Sequence, residues 1–90
     1  MKTVEEENNI VLYNDEDERI GEMTLMKMGN NIVVTHTGVA IEYRGQGLAK
    51  LLIKAGIEKA RKENLKLQAT CPYAANYFRA HKEELQDVLK

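Results

Sequence analysis

Apolar positions follow two periods along the chain. Up to residue 41 they fall in short β-prone runs, and from Leu48 to Ala60 they recur at helical spacing. Ile10 to Tyr13 is the first run, and the acidic stretch Asn14 to Glu18 after it has hairpin-loop chemistry. A second strand over residues 20 to 28 puts Ile20, Glu22, Thr24, Met26 and Met28 on one face and Met23 and Leu25 on the other. Gly29-Asn30-Asn31 reverses the chain into a third strand, residues 32 to 41, rich in β-branched residues and containing Gly38. Short turns between three strands predict an antiparallel meander.

The pattern changes at Tyr43. Leu48, Leu51, Leu52, Ala55 and Ile57 form an apolar face, while Lys50, Lys54, Glu58 and Lys62 descend the other side in steps of four. This predicts a helix of about four turns, ending near Asn64. Residues 65 to 70 alternate as a strand does, and Cys71-Pro72 opens another helix, because proline suits the first helical position. Strand, helix and strand make a βαβ unit whose last strand runs parallel to residues 32 to 41. The fold class is therefore α/β (α+β): an antiparallel meander, then a βαβ unit with a parallel strand pair and C-terminal helices.

Composition narrows the field. Ninety residues fit one domain, residues 1–90, and a 43% hydrophobic content supplies a thin but sufficient core. No apolar run is long enough for a membrane span or signal segment, and a lone cysteine, Cys71, forms no internal disulfide, so we expect a cytoplasmic protein with no membrane partner. Residues 1 to 23 carry eight acids against Lys2 and Arg19, whereas residues 24 to 68 carry eight bases against Glu42, Glu58 and Glu63. Charge alone fits an anion-facing middle or a solvated lysine-rich helix face. Four tyrosines, one phenylalanine and a net charge of -1 argue against nucleic acid. We expect no metal, and a monomer or weak dimer.

Arg44-Gly45-Gln46-Gly47-Leu48-Ala49 lies between a strand and a helix. Glycines let consecutive N–H groups point inward, the first helical turn adds unpaired donors, and Arg44 adds a charge, so such a turn cradles a pyrophosphate. A dinucleotide fingerprint is absent: the third glycine is missing, and no acid ends the next strand at Thr70 or Cys71.

Arg44, Gly47 and Ala49 match [QR]-x-x-G-x-[GA], the pyrophosphate signature of the GNAT superfamily of N-acetyltransferases. With His36-Thr37-Gly38-Val39 and Cys71-Pro72-Tyr73, the chain resembles the small single-domain YjdJ-type GNAT-like proteins over roughly residues 10 to 89. The resemblance implies acetyl-CoA as co-substrate, with cofactor contacts from Gly38, Val39, Arg44, Gly45, Gln46, Gly47, Leu48, Ala49 and Tyr73. It places the pantetheine arm between residues 32 to 41 and 65 to 70, where a freed amide near Gly38 polarises the thioester. It further implies acetyl transfer to an amine, small or on a protein; the alternative is a non-catalytic coenzyme A-binding or interaction module.

Two residues are the catalytic candidates. Cys71, set before Pro72 at a helix N-cap, is either a thiol activated to carry the acetyl group or a packed core residue. His36, beside the expected pantetheine slot, is either a base or a hydrogen-bonded structural residue. Aligned with the superfamily, the position of the tyrosine that protonates the leaving thiolate reads Phe78, which donates no proton, and Tyr77 points about 100° away.

Overall fold

A computed structural model describes residues 1–90. Five strands form one sheet in sequential order: β1 (Lys2–Glu5), β2 (Asn9–Tyr13), β3 (Arg19–Met28), β4 (Asn31–Val39) and β5 (Lys66–Ala69). The first four pair antiparallel and β5 runs parallel to β4, as the βαβ reading requires. The crossover is helix α1 (Ala49–Glu63), closed by Asn64 in the left-handed conformation, and α2 (Pro72–Ala80) follows β5. No helix is long and apolar enough to cross a membrane.

The core lies on one face of the sheet. Ile10, Leu12, Met23, Leu25, Ile32 and Val34 form one buried cluster with Leu52, Ile53, Ile57 and Ala60 of α1 and Ala74 and Phe78 of α2. Helix α1 sits close because it presents Gly56 there: a Cβ at Gly56 would lie 2.6 Å from the terminal methyl carbon of Met23. On β3 the cross-strand register sets Glu22, Thr24, Met26 and Met28 on the opposite face, with Met26 and Met28 exposed.

Four details differ from the sequence reading. Strand β1 had no apolar pattern to betray it; all four residues are exposed, and it forms by pairing along β2, tied to α1 through Glu5 to Lys59 and Lys62. The third strand of the meander stops at Val39, since a 3-10 turn, Ile41–Tyr43, begins after the last bond to β3, Ala40 N–H to the Ile20 carbonyl at 2.8 Å. The C-terminal part holds one helix: beyond α2, residues 81 to 88 run through turns, and Leu85, Val88 and a short bridge from Leu89 to Leu67 dock them. Finally, two bulges interrupt the alternation. Ile20 is the extra residue between the pairs Tyr13–Arg19 and Leu12–Gly21, and it turns into the core. Thr35 is the extra residue between Thr24–His36 and Leu25–Val34. A bulge reverses the facing of everything beyond it. His36 and Gly38 thus face away from the helices, while Thr37 and Val39 face toward them.

Candidate functional site

The parallel pairing of β4 with β5 ends at Val34 and Ala69, and the amides of Thr70 and Cys71 both close on the Val34 carbonyl, at 2.9 and 3.2 Å. Past that point β4 continues alone and the two chains part. Ala40 donates back to β3, so by the alternation of strand groups the N–H and C=O of Val39 and of Thr37 point away from β3, into the gap. The same alternation turns the Gly38 amide toward β3. The freed amides on this edge therefore belong to the neighbours of Gly38.

The gap opens into a cleft of about 400 Å³ lined by Thr37, Gly38 and Val39 of β4, Tyr43, the turn Arg44, Gly45, Gly47 and Leu48, Ala49 at the start of α1, and Tyr73 of α2. At its mouth Gly45 and Gly47 adopt φ of +83° and +73°, which glycine alone adopts without strain. No amide from Gly45 to Ala49 donates to a protein acceptor, and Leu48 caps α1 without a side-chain bond. The result is a row of free N–H groups at the positive end of a helix with no acid in its first turn. A Cβ at Gly45 or Gly47 would meet nothing within 4 Å, so these glycines are needed for backbone conformation and leave open space above the turn.

The structure brings together Gly38, Val39, Arg44, Gly45, Gly47, Leu48, Ala49 and Tyr73 from the sequence-derived set. Gln46 lies in the turn but is not among the lining residues. Cys71 stands behind the cleft wall: 6% exposed, at the N-cap of α2, its Sγ 3.7 Å from Thr37 Oγ1. Burial pushes its thiol up, but the amides of Ala74 and Tyr73 and the hydroxyl and amide of Thr37 outweigh burial and hold it below its ordinary value. Burial, together with nearby Tyr77, raises the Tyr73 hydroxyl. Phe78 is core, and Tyr77 stacks on His81 at 4.0 Å.

His36 is the clearest departure. It does not line this cleft: turned outward by the Thr35 bulge, it is exposed in a second groove of about 430 Å³ with Arg19, Glu22, Gly38 and Arg44. Its Nε2 lies 3.0 Å from where a Cβ of Gly38 would be, so the ring covers Gly38. Glu22, directly across from Gly38, is held below the usual carboxylate range by hydrogen bonds from Asn9 and Arg19 and by His36. Thr37, Gly38 and Val39 line both grooves, one on each face of β4.

Sequence reasoning missed Thr37 and Tyr43. Thr37 sits inside the quoted motif, but only the bulge aims it at Cys71. Tyr43 is placed by Asn14, a buried residue 29 positions away whose Nδ2 donates to Tyr43 Oη at 3.0 Å.

The sequence model of the family described as GCN5-related N-acetyl-transferase matches residues 9–88. Protein NATD1 from Gallus gallus is 42% identical over 53 residues, 58% of this chain, and the same identity holds for the Mus musculus and Homo sapiens proteins. The match spans about half the length of these curated relatives, 48% for the chicken protein. Among solved structures, the NMR structure of a GCN5-like protein from Staphylococcus aureus aligns with a TM-score of 0.77 and 36% identity, covering 99% of this chain and 87% of that one. A GNAT family N-acetyltransferase (YhbS) from Escherichia coli, solved in complex with CoA, aligns with a TM-score of 0.54 and 25% identity over 60% of this chain and 33% of that one.

Proposed function

The chain belongs to the GCN5-related N-acetyl-transferase family, and on that premise we propose that it binds acetyl-CoA in the cleft beside β4 and transfers the acetyl group to an amine. The observation that carries this reading is the row of unpartnered amides from Gly45 to Ala49, which opens directly onto the unpaired edge of β4. A pyrophosphate suits the first and an extended amide-bearing arm suits the second. The structure with CoA in the E. coli relative supports the same choice of ligand.

Within that reading the residues divide the work. The free amide of Val39 faces the thioester end and can donate to the oxygen on which charge develops, while the Thr37 amide is turned to Cys71. Cys71, held low by the amides of α2, serves as the first acetyl acceptor: its Sγ forms a bond to the acetyl carbon, the bond to the coenzyme sulfur breaks, and the coenzyme leaves as a thiolate. This exchange needs no proton donor at the leaving sulfur, which fits the burial of Phe78 in the core. The amine then displaces Cys71, whose sulfur leaves as a thiolate, and the amine's proton passes through water to His36, exposed in the outer groove on the other face of β4. The connection from β2 to β3 is only the loop after Asn14, which leaves that groove open to an amine on a large partner such as a protein lysine or N-terminus.

Calorimetric titration with acetyl-CoA and free CoA, followed by an assay of thiol release with amine acceptors, tests the reading. We expect binding of both coenzymes and acceptor-dependent thiol release. Absence of coenzyme binding would overturn it, and binding without turnover would identify a coenzyme A-binding module instead of an enzyme.

A further inference from the structure

Arg44 lines both the cofactor cleft and the outer groove, and its side chain is folded back: Nε donates to the carbonyl of Val39 at 3.0 Å. That carbonyl is one of the few backbone acceptors on the unpaired edge of β4, the edge along which an extended arm must pair. The side chain is exposed and held by this single bond, so nothing else fixes it there.

We propose that Arg44 is a donor-specificity residue that withholds the Val39 carbonyl from any pantetheine arm not carrying phosphate next to the glycine turn. This rests on the coenzyme reading above. A bare pantetheine arm meets a guanidinium already bound to the acceptor it needs, and offers that guanidinium nothing in exchange. A coenzyme A arm brings two phosphates to the amides of Gly45 to Ala49, immediately beside Arg44. The guanidinium then exchanges a neutral carbonyl for a charge-assisted, two-pronged contact, the stronger kind, and the strand edge is released. Selection is thus for acyl groups carried on coenzyme A over those carried on free pantetheine, with 4′-phosphopantetheine between them.

The test is calorimetric titration of wild type, Arg44→Met and Arg44→Ala with CoA, 4′-phosphopantetheine and pantetheine. Methionine keeps the bulk without donating, and alanine removes the bulk too; the position is exposed, so both variants keep the fold. We expect CoA to bind the variants about 10- to 100-fold more weakly, as loss of a charge-assisted contact implies. Pantetheine should bind both variants about 5-fold more tightly, as release of one ordinary hydrogen bond implies. Pantetheine binding no tighter to either variant than to wild type, while wild type binds CoA, overturns the proposal alone. Failure of wild type to bind CoA overturns the coenzyme reading and this inference with it.

Discussion

Asn14 donates from Nδ2 to the hydroxyl of Tyr43 at 3.0 Å, joining the β2–β3 loop to the wall of the cleft beside β4. The same amide organises the loop: Oδ1 accepts from the backbone N–H of Glu16 and Glu18, each at 2.9 Å, and Nδ2 also reaches the Glu18 carboxylate. Asn14→Ala should therefore destabilise the protein by about 2 kcal/mol, within the range for a buried hydrogen-bonded side chain, and weaken CoA binding several-fold. Denaturant unfolding and calorimetry check the two effects. Tyr43→Phe, which removes one partner only, should cost about 1 kcal/mol.

Gly47→Glu should abolish coenzyme binding. At φ +73° any side chain costs about 1–2 kcal/mol, and glutamate adds a negative charge at the proposed pyrophosphate site. Gly29→Ala is the control: Gly29 has φ +62° and open space around it, at the hairpin turn between β3 and β4. It should show similar destabilisation by circular dichroism melting with unchanged CoA affinity. Equal CoA affinity for Gly47→Glu and wild type would remove the turn from the site.

Placement of His36 on the far side of β4 from the cleft separates binding from turnover. His36→Ala should leave CoA affinity within about 2-fold while lowering kcat by about 100-fold or more, the usual contribution of a general base. An unchanged kcat would make His36 structural.

Incubation with acetyl-CoA and no acceptor should add a single hydroxylamine-labile acetyl group to the chain, detectable by mass spectrometry and absent in Cys71→Ala. Because the Cys71 thiol is held below its ordinary value, labelling should fall off with decreasing pH at a lower pH than labelling of a free cysteine thiol does. Full transferase activity in Cys71→Ala would leave direct attack by the amine as the mechanism.

Lys59 is 6% exposed and pairs with Glu63 at 2.6 Å and Glu5 at 3.5 Å; Lys27 also reaches Glu63. Its hydrogen bond to Glu63 raises Lys59, and hydrogen bonds from Lys59 and Lys27 lower Glu63. A lowered acid contributes stability that is present above its ordinary value of 4.5 and is lost as pH falls through the lower folded value. The raised lysine contributes below its ordinary value of 10.5, and that share is lost as pH rises through the higher folded value. Denaturation midpoints should accordingly hold between these limits and decline outside them. Lys59→Met should show a shallower acid decline.

Features set by near neighbours in the chain are legible from the order of residues alone. The left-handed turn at Gly45 and Gly47, the four turns of α1 and its end at Asn64, and the Pro72 start that puts Cys71 at an N-cap all follow from local backbone preferences and i, i+4 spacing. Those features carry most of the proposed coenzyme-binding half of the site. Strand pairing decided the rest. Strand β1 exists only because β2 offers an edge, Tyr43 is fixed by a residue far away in sequence, and the bulge at Thr35 exchanges the faces of His36 and Thr37. Alternation along β4 read alone turns His36 toward the helices with Ile32 and Val34. The extra residue shows only against the partner strand, because register is a relation between two segments and neither one contains it.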